Sequence, residues 1–337
     1  MGQKILLTGG AGFIGSHTYV ALVAAGYEVT LLDNFANAQR DVPDRLALIT
    51  NRPTNLIECD VRVAGDVMAV MADQKFDAVV HFAAGKSISD GEADPIGYHQ
   101  TNCTGLINVV AAMRATGCNA MVFSSSAAVY GNTDQIPIRE DTALAPENTY
   151  AWTKQFGEEF LTRVSGSHPE FKTGILRYFN PVGAHASGLI GEDPSLPPSN
   201  LVPVIARVAK GQMEKLKVFG GDYPTADGTG IRDFIHISDL AQGHVLSLNV
   251  LLGQGQGQGQ SHLVNLGTGT GYSVLEVLKT YSEVCGIDLP YEIVARRPGD
   301  AALSYAGTDR AFEILGFKAR HDLRSMCESN WAFACRE

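Results

Sequence analysis

The chain has 337 residues, 45% hydrophobic and 18% charged, with 36 glycines, a composition that excludes a small isolated module, a disordered chain and a fibrous one. Its formal net charge of -10 argues against nucleic-acid binding by broad phosphate neutralisation. No apolar run approaches the length of a membrane span and Met1-Gly2-Gln3-Lys4 leads directly into a strand, so the expectation is a cytoplasmic protein with neither a membrane nor a nucleic-acid partner.

In chain order, strands are predicted over Lys4–Thr8, Glu28–Asp33, Asn55–Cys59, Ala78–Phe82, Ala120–Ser124 and Thr173–Arg177, with helical patterns between them, the first over Ser16–Ala25. That alternation predicts an α/β fold, a doubly wound Rossmann-type parallel sheet, in which ligands lie beyond the strands' carboxyl ends. After Asn180 the rhythm loosens: Pro181, Pro194, Pro197, Pro198 and Pro203 punctuate a loop-rich stretch, and a helix is predicted over Val202–Lys210. The expected division is a dinucleotide-binding domain over 1–180 and a smaller mixed α/β substrate lobe over 181–337, some of whose segments return to the first sheet. Gly253–Gln260 alternates glycine with glutamine and reads as a surface loop. The six cysteines, Cys59, Cys103, Cys118, Cys285, Cys327 and Cys335, show no CxxC spacing and read as free thiols, so no metal is expected.

The first strand runs into Gly9-Gly10-Ala11-Gly12-Phe13-Ile14-Gly15. Bare backbone at Gly9 and Gly12 permits a tight turn against a pyrophosphate, Gly15 permits close helix packing, and the following helix offers its N-terminal amides to the anion. Asp33 closes the second strand 18 residues beyond Gly15, where a carboxylate can accept hydrogen bonds from an adenosine ribose and would repel a 2′-phosphate. The expected cofactor is therefore NAD rather than NADP. Asp60, after the third strand, is placed for the adenine, and Phe82-Ala83-Ala84-Gly85-Lys86 follows the fourth.

Further along, the strand Met121-Val122-Phe123 leads into Ser124-Ser125-Ser126, and Tyr150-Ala151-Trp152-Thr153-Lys154 follows after a loop. If Tyr150 begins a helix, Lys154 shares its face one turn on. A phenol with an ordinary pKa near ~10 is a poor base at neutral pH, and a neighbouring ammonium favours its ionised form. Ser126, Tyr150 and Lys154 form the expected catalytic set for alcohol-to-ketone interconversion.

Together these motifs resemble the extended branch of the short-chain dehydrogenase/reductase superfamily. Arg177-Tyr178-Phe179-Asn180-Pro181-Val182-Gly183-Ala184-His185, Asn200-Leu201-Val202-Pro203, Asp227-Gly228-Thr229-Gly230-Ile231-Arg232-Asp233-Phe234-Ile235-His236 and Arg296-Arg297-Pro298-Gly299-Asp300 narrow the resemblance to the UDP-galactose 4-epimerase family. It implies reversible inversion at carbon four of a UDP-hexose through a 4-keto sugar, in a homodimer. It also implies a cofactor site extending over Phe13, Ile14, Asn34, Asn37 and Val61, then Phe82, Ala83, Ala84 and Lys86, then Asn102, Ser124 and Tyr178. On the substrate side it implies Lys86, Phe179, Asn180, Asn200, Leu201 and Phe219, with Arg232 and Arg297 on the diphosphate, Asp300 on the uridine ribose, and Ser304 at the sugar.

Two stretches depart from the family pattern. Trp152 stands inside the Tyr-to-Lys motif, and Ser87-Ile88-Ser89-Asp90-Gly91-Glu92 differs from the usual wording, which leaves packing and sugar contacts there open. Ser304 occupies the position where the family carries a tyrosine that narrows the sugar pocket, and a small residue there goes with acceptance of N-acetylated sugars; Tyr305, one residue on, would fill the space if the register shifted by one. A 4,6-dehydratase is disfavoured because Ala127-Ala128 replaces that family's acidic pair. A uronic acid or pentose epimerase and a non-catalytic NAD-binding sensor stay open as alternatives.

Overall fold

A computed structural model describes residues 2–193, 200–254, 259–297 and 299–336. Pro194, Pro197, Pro198 and the middle of the glycine–glutamine stretch lie outside the described residues.

The first six strands are β1 (Lys4–Thr8), β2 (Glu28–Asp33), β3 (Asn55–Glu58), β4 (Ala78–His81), β5 (Ala120–Ser126) and β6 (Lys172–Tyr178). With His262–Leu266 they form a seven-stranded sheet in the order His262–Leu266, β6, β5, β4, β1, β2, β3, and every pairing is parallel. The strands read as short apolar runs because both faces are covered: Ile5 and Leu7 point into one core, whereas Leu6 points into the other. Tyr19 and Leu22 with Leu240, Val245 and Leu248 cover the first face; Val67, Met71, Leu106, Val109, Met113 and Leu161 cover the second. The final strand and the Ile237–Leu251 helix therefore belong to the sheet's core although they follow residue 180.

Connections proceed outward from β1 in one direction and from β4 in the other, opening a crevice between these two strands at their carboxyl ends. Beyond the crevice, Ile231–His236 organises a small mixed sheet, pairing parallel with Asn180–Val182 and Leu303–Ser304 and antiparallel with Gly271–Ser273. Leu216–Phe219 pairs with Tyr291–Val294. A third core, with Val202, Ile205, Val218, Phe234, Leu278, Tyr281 and Met326, supports this lobe.

The helix expected from Ser16 starts at Phe13 and ends at Ala24. Gly12 is its N-cap, and lacking a side chain it leaves no capping signal in the sequence, so Phe13 and Ile14 belong to the first helical turn rather than to the glycine turn. No helix among the described residues is long and apolar enough to cross a membrane. Among them, no three His, Cys, Asp or Glu side chains converge as a metal-holding group.

Candidate active site

The glycine turn is built by close approach. Gly9 has φ +67°, and a Cβ there would lie 2.7 Å from the Ala83 amide nitrogen; one on Gly15 would lie 2.4 Å from the Gly9 carbonyl oxygen. Gly12 differs, since a Cβ there would meet only the Gly9 oxygen, at 3.3 Å, and otherwise open space. The helix it precedes has no side-chain cap and no acidic residue in its first turn. An uncapped helix N-terminus beneath open space fits a pyrophosphate.

At the end of β2, buried Asp33 accepts the Ala11 amide on Oδ2 at 3.0 Å and the Phe35 amide on Oδ1 at 2.9 Å. Burial raises its pKa, and the backbone donors oppose that rise. A carboxylate offers about four acceptor positions, so these bonds orient it while leaving acceptors for ribose hydroxyls. Asp60 is fully engaged with its neighbours: Arg62 grips it at 2.6 Å and Asn34 donates to it at 3.1 Å. The Arg62 hydrogen bonds are the main reason its pKa falls to about 2.

The segment after β4 is pinned by Asn102, which lies in a turn of π-helix over Gln100–Thr104. Its Oδ1 accepts the Gly85 amide at 2.7 Å, while Nδ2 donates to the Gly85 carbonyl at 3.1 Å and the Thr153 hydroxyl at 2.9 Å. Asn102 thus ties the Phe82–Lys86 segment to the catalytic helix.

That helix spans Thr149–Ser167, and Asn148 caps it by accepting the Ala151 amide at 2.9 Å. Glu92, in the stretch that departs from the family pattern, accepts both the Thr149 amide and its hydroxyl at 2.8 Å. Trp152 is 59% exposed, so it projects away from the reacting face, and Ala151 takes the buried position instead. Gly157 lets the helix cross β5 closely, because a Cβ there would lie 2.4 Å from the Phe123 ring. Lys154, only 4% exposed, consequently reaches back to β5 and donates to the Ser124 carbonyl at 2.7 Å.

The Ser126 side chain is near enough to the Tyr150 hydroxyl to weigh on its pKa. Burial raises the Tyr150 pKa and Ser126 only partly offsets it. Burial also pushes Lys154 down to about 8, against the opposing influence of Cys103 and Glu158. The Lys154 ammonium lies 5.7 Å from the Tyr150 ring centroid while donating to the Ser124 carbonyl.

Sequence reasoning missed the groups behind this trio. Ser125 donates to Glu158, and Arg177 Nη2 meets Glu158 Oε2 at 2.6 Å. Arg177 also donates to Tyr130 Oη at 2.8 Å, whose hydroxyl donates to Asn265 at 2.7 Å. Glu158 follows Lys154 by one helical turn, a spacing that carried the signal. His244 was likewise missed: its Nδ1 is bonded to the Leu240 carbonyl at 2.9 Å, leaving Nε2 as the acceptor for the Tyr178 hydroxyl. The Phe82 ring lies 4.9 Å from that of His244.

Across the crevice, Arg232 Nη2 lies 3.7 Å from Asp300, and Arg297 stacks 3.8 Å over the Phe219 ring. Ser304 pairs with Arg232 in the small sheet, so the two side chains share a face. The Tyr305 ring lies against Gly271, which pairs with Asp233 on the opposite face, so no one-residue shift brings Tyr305 beside Arg232. Lys86 and Asn200 meet through Glu192, a residue the sequence did not single out. Asn180 and Phe179 continue from β6 towards this side, and Leu201 starts the Leu201–Ala209 helix.

This fold and site define a class. Residues 5–267 match the NAD dependent epimerase/dehydratase family, and the chain belongs to it. Within that family it is 45% identical to the UDP-glucose 4-epimerase of Bacillus subtilis over 98% of this chain and 96% of the relative. A UDP-glucose 4-epimerase of Stenotrophomonas maltophilia, solved with NAD and formylated UDP-arabinopyranose, superposes with a TM-score of 0.95 at 43% identity, covering 98% of each chain. The UDP-Glc/GlcNAc 4-epimerase of Campylobacter jejuni superposes with a TM-score of 0.86 at 35% identity, covering 99% of each.

Proposed function

We propose that the chain is a UDP-glucose 4-epimerase that interconverts UDP-galactose and UDP-glucose with NAD as its resident cofactor. The observation that carries this reading is the Ser126–Tyr150 pair, with Lys154 one turn along, at the crevice edge that also carries the glycine turn and Asp33. Near-full-length identity to UDP-glucose 4-epimerases supports the particular substrate.

Bound NAD supplies a reversible hydride acceptor for carbon four of the sugar. Tyr150 takes the proton of the 4-hydroxyl and later returns it, while Ser126 hydrogen-bonds the same oxygen and steadies it as alkoxide character develops. Lys154 holds the Ser124 backbone and contributes positive charge beside the phenol. Between the two transfers the 4-keto sugar turns, presenting its other face, so no second redox substrate is consumed.

On this reading Gly9, Gly12, Phe13, Ile14 and Gly15 receive the pyrophosphate and Asp33 the adenosine ribose, with Asn34, Asn37, Asp60 and Val61 around the adenosine end. Phe82, Ala83, Ala84, Ser124 and Tyr178 shape the nicotinamide end, and Asn102 holds that segment in place. Arg232 and Arg297 neutralise the substrate diphosphate, Asp300 binds the uridine ribose, and Lys86, Phe179, Asn180, Asn200, Leu201 and Phe219 complete the sugar nucleotide site, most of it in the 181–337 lobe. Exposed Ile96 and Trp152, on two helices that pack together, support a homodimer.

Product analysis of the NAD-loaded protein with a panel of UDP sugars tests the reading. UDP-glucose and UDP-galactose are expected to interconvert; a 4-keto-6-deoxy product, or turnover confined to uronic or pentose sugars, would replace it. The register that sets Ser304 beside Arg232 supports additional activity on UDP-N-acetylglucosamine and UDP-N-acetylgalactosamine, as does the similarity to a UDP-Glc/GlcNAc 4-epimerase. Ser304→Tyr should abolish N-acetyl-sugar turnover while sparing UDP-galactose; equal N-acetyl turnover in the variant would count against this role.

A further inference from the structure

We propose that Glu192 is a positioning residue that fastens the cofactor side of the crevice to the substrate lobe by holding Lys86 and Asn200 on one carboxylate oxygen. Lys86 Nζ donates to Glu192 Oε1 at 2.8 Å and Asn200 Nδ2 donates to the same oxygen at 2.6 Å. The carboxylate side chain is only 5% exposed, whereas Lys86 remains 50% exposed, so the acid is the fixed element and the lysine is gathered onto it.

Asn200 occupies the N-cap of the Leu201–Ala209 helix without a side-chain cap bond, and Pro203 at the third helical position has no N–H to receive one. Asn148, at the N-cap of the catalytic helix, does cap in the ordinary way. Glu192 thus fixes the nitrogen end of the Asn200 amide, and its oxygen makes no bond to the helix it precedes. One oxygen thereby sets both the direction of an ammonium from the end of β4 and the orientation of an amide at the entrance to the second lobe.

Resting on the epimerase reading above, this arrangement prepares Lys86 and Asn200 for the sugar diphosphate. Binding of UDP to the NAD-loaded protein, measured by calorimetry, tests it. Glu192→Gln should weaken UDP binding roughly tenfold, the scale of one lost charge-assisted hydrogen bond, with NAD content and unfolding midpoint unchanged. In a Lys86→Met, Asn200→Ala background the same substitution should add nothing, because its partners are gone. Unchanged or tighter binding in Glu192→Gln, or an equal loss in that background, would overturn the proposal. Glu192→Asp, which keeps the charge but shortens the reach, should show the same loss and serves if the glutamine variant does not fold. Loss of NAD or of folding in both would assign Glu192 to stability and reject the positioning role. Wild-type protein that fails to bind UDP would instead remove the epimerase reading itself.

Discussion

Tyr150→Phe is expected to lower epimerase turnover by about 10²–10⁴-fold, the contribution of a positioned general base, while leaving NAD content and UDP affinity near those of the wild type. The ring keeps its packing, since only the hydroxyl, on whose pKa Ser126 acts, is removed. The burial that raises the Tyr150 pKa makes the hydroxyl a poor base until positive charge and Ser126 act on it together, so catalysis depends on the assembled site rather than on the residue alone. Steady-state kinetics with UDP-galactose, alongside UDP calorimetry on the same preparation, separates the two effects. A variant that retains turnover within a few-fold would remove Tyr150 from the proton path.

The second large effect concerns stability. Glu158→Ala should destabilise the protein by about 3–5 kcal/mol, because it leaves the Arg177 guanidinium buried without its counter-charge. Both side chains are 5% exposed or less. Burial works against the Arg177 charge, but the hydrogen bonds and charge of Glu158 more than restore it, holding the guanidinium above its ordinary range. The pair joins the catalytic helix to β6, and through Ser125 it also supports the strand end that carries Ser126. Replacing both partners with apolar residues, Glu158→Leu with Arg177→Met, should recover most of the loss, since no unpaired charge remains. Denaturant midpoints for the three forms check this, and a double variant as unstable as the single would show that the pair's worth lies in packing rather than charge.

Much of the sheet was legible because parallel strands buried on both faces are written as bounded apolar runs. β1 and β2 have the expected ends, Lys4–Thr8 and Glu28–Asp33, since glycine or a charged residue brackets each. β5 runs on through Ser125 and Ser126, whose polar side chains hide backbone pairing with Arg177 and Tyr178. The glycine turn was readable as a motif, whereas the true start of its helix was not, because a glycine cap has no side chain to announce it. Ser126, Tyr150 and Lys154 could be singled out by spacing and resemblance, but the direction of Lys154 depends on Gly157 and the Ser124 carbonyl, which spacing does not encode. Glu192 lies 106 residues from Lys86, so only the folded chain brings the two together.

The most direct test of the account follows deuterium placed on carbon four of UDP-galactose through a single incubation with purified, NAD-loaded protein. The expected product is UDP-glucose that keeps the label on carbon four, formed without net consumption of an oxidant or reductant. Label lost to water, or no UDP-glucose formed, would contradict it.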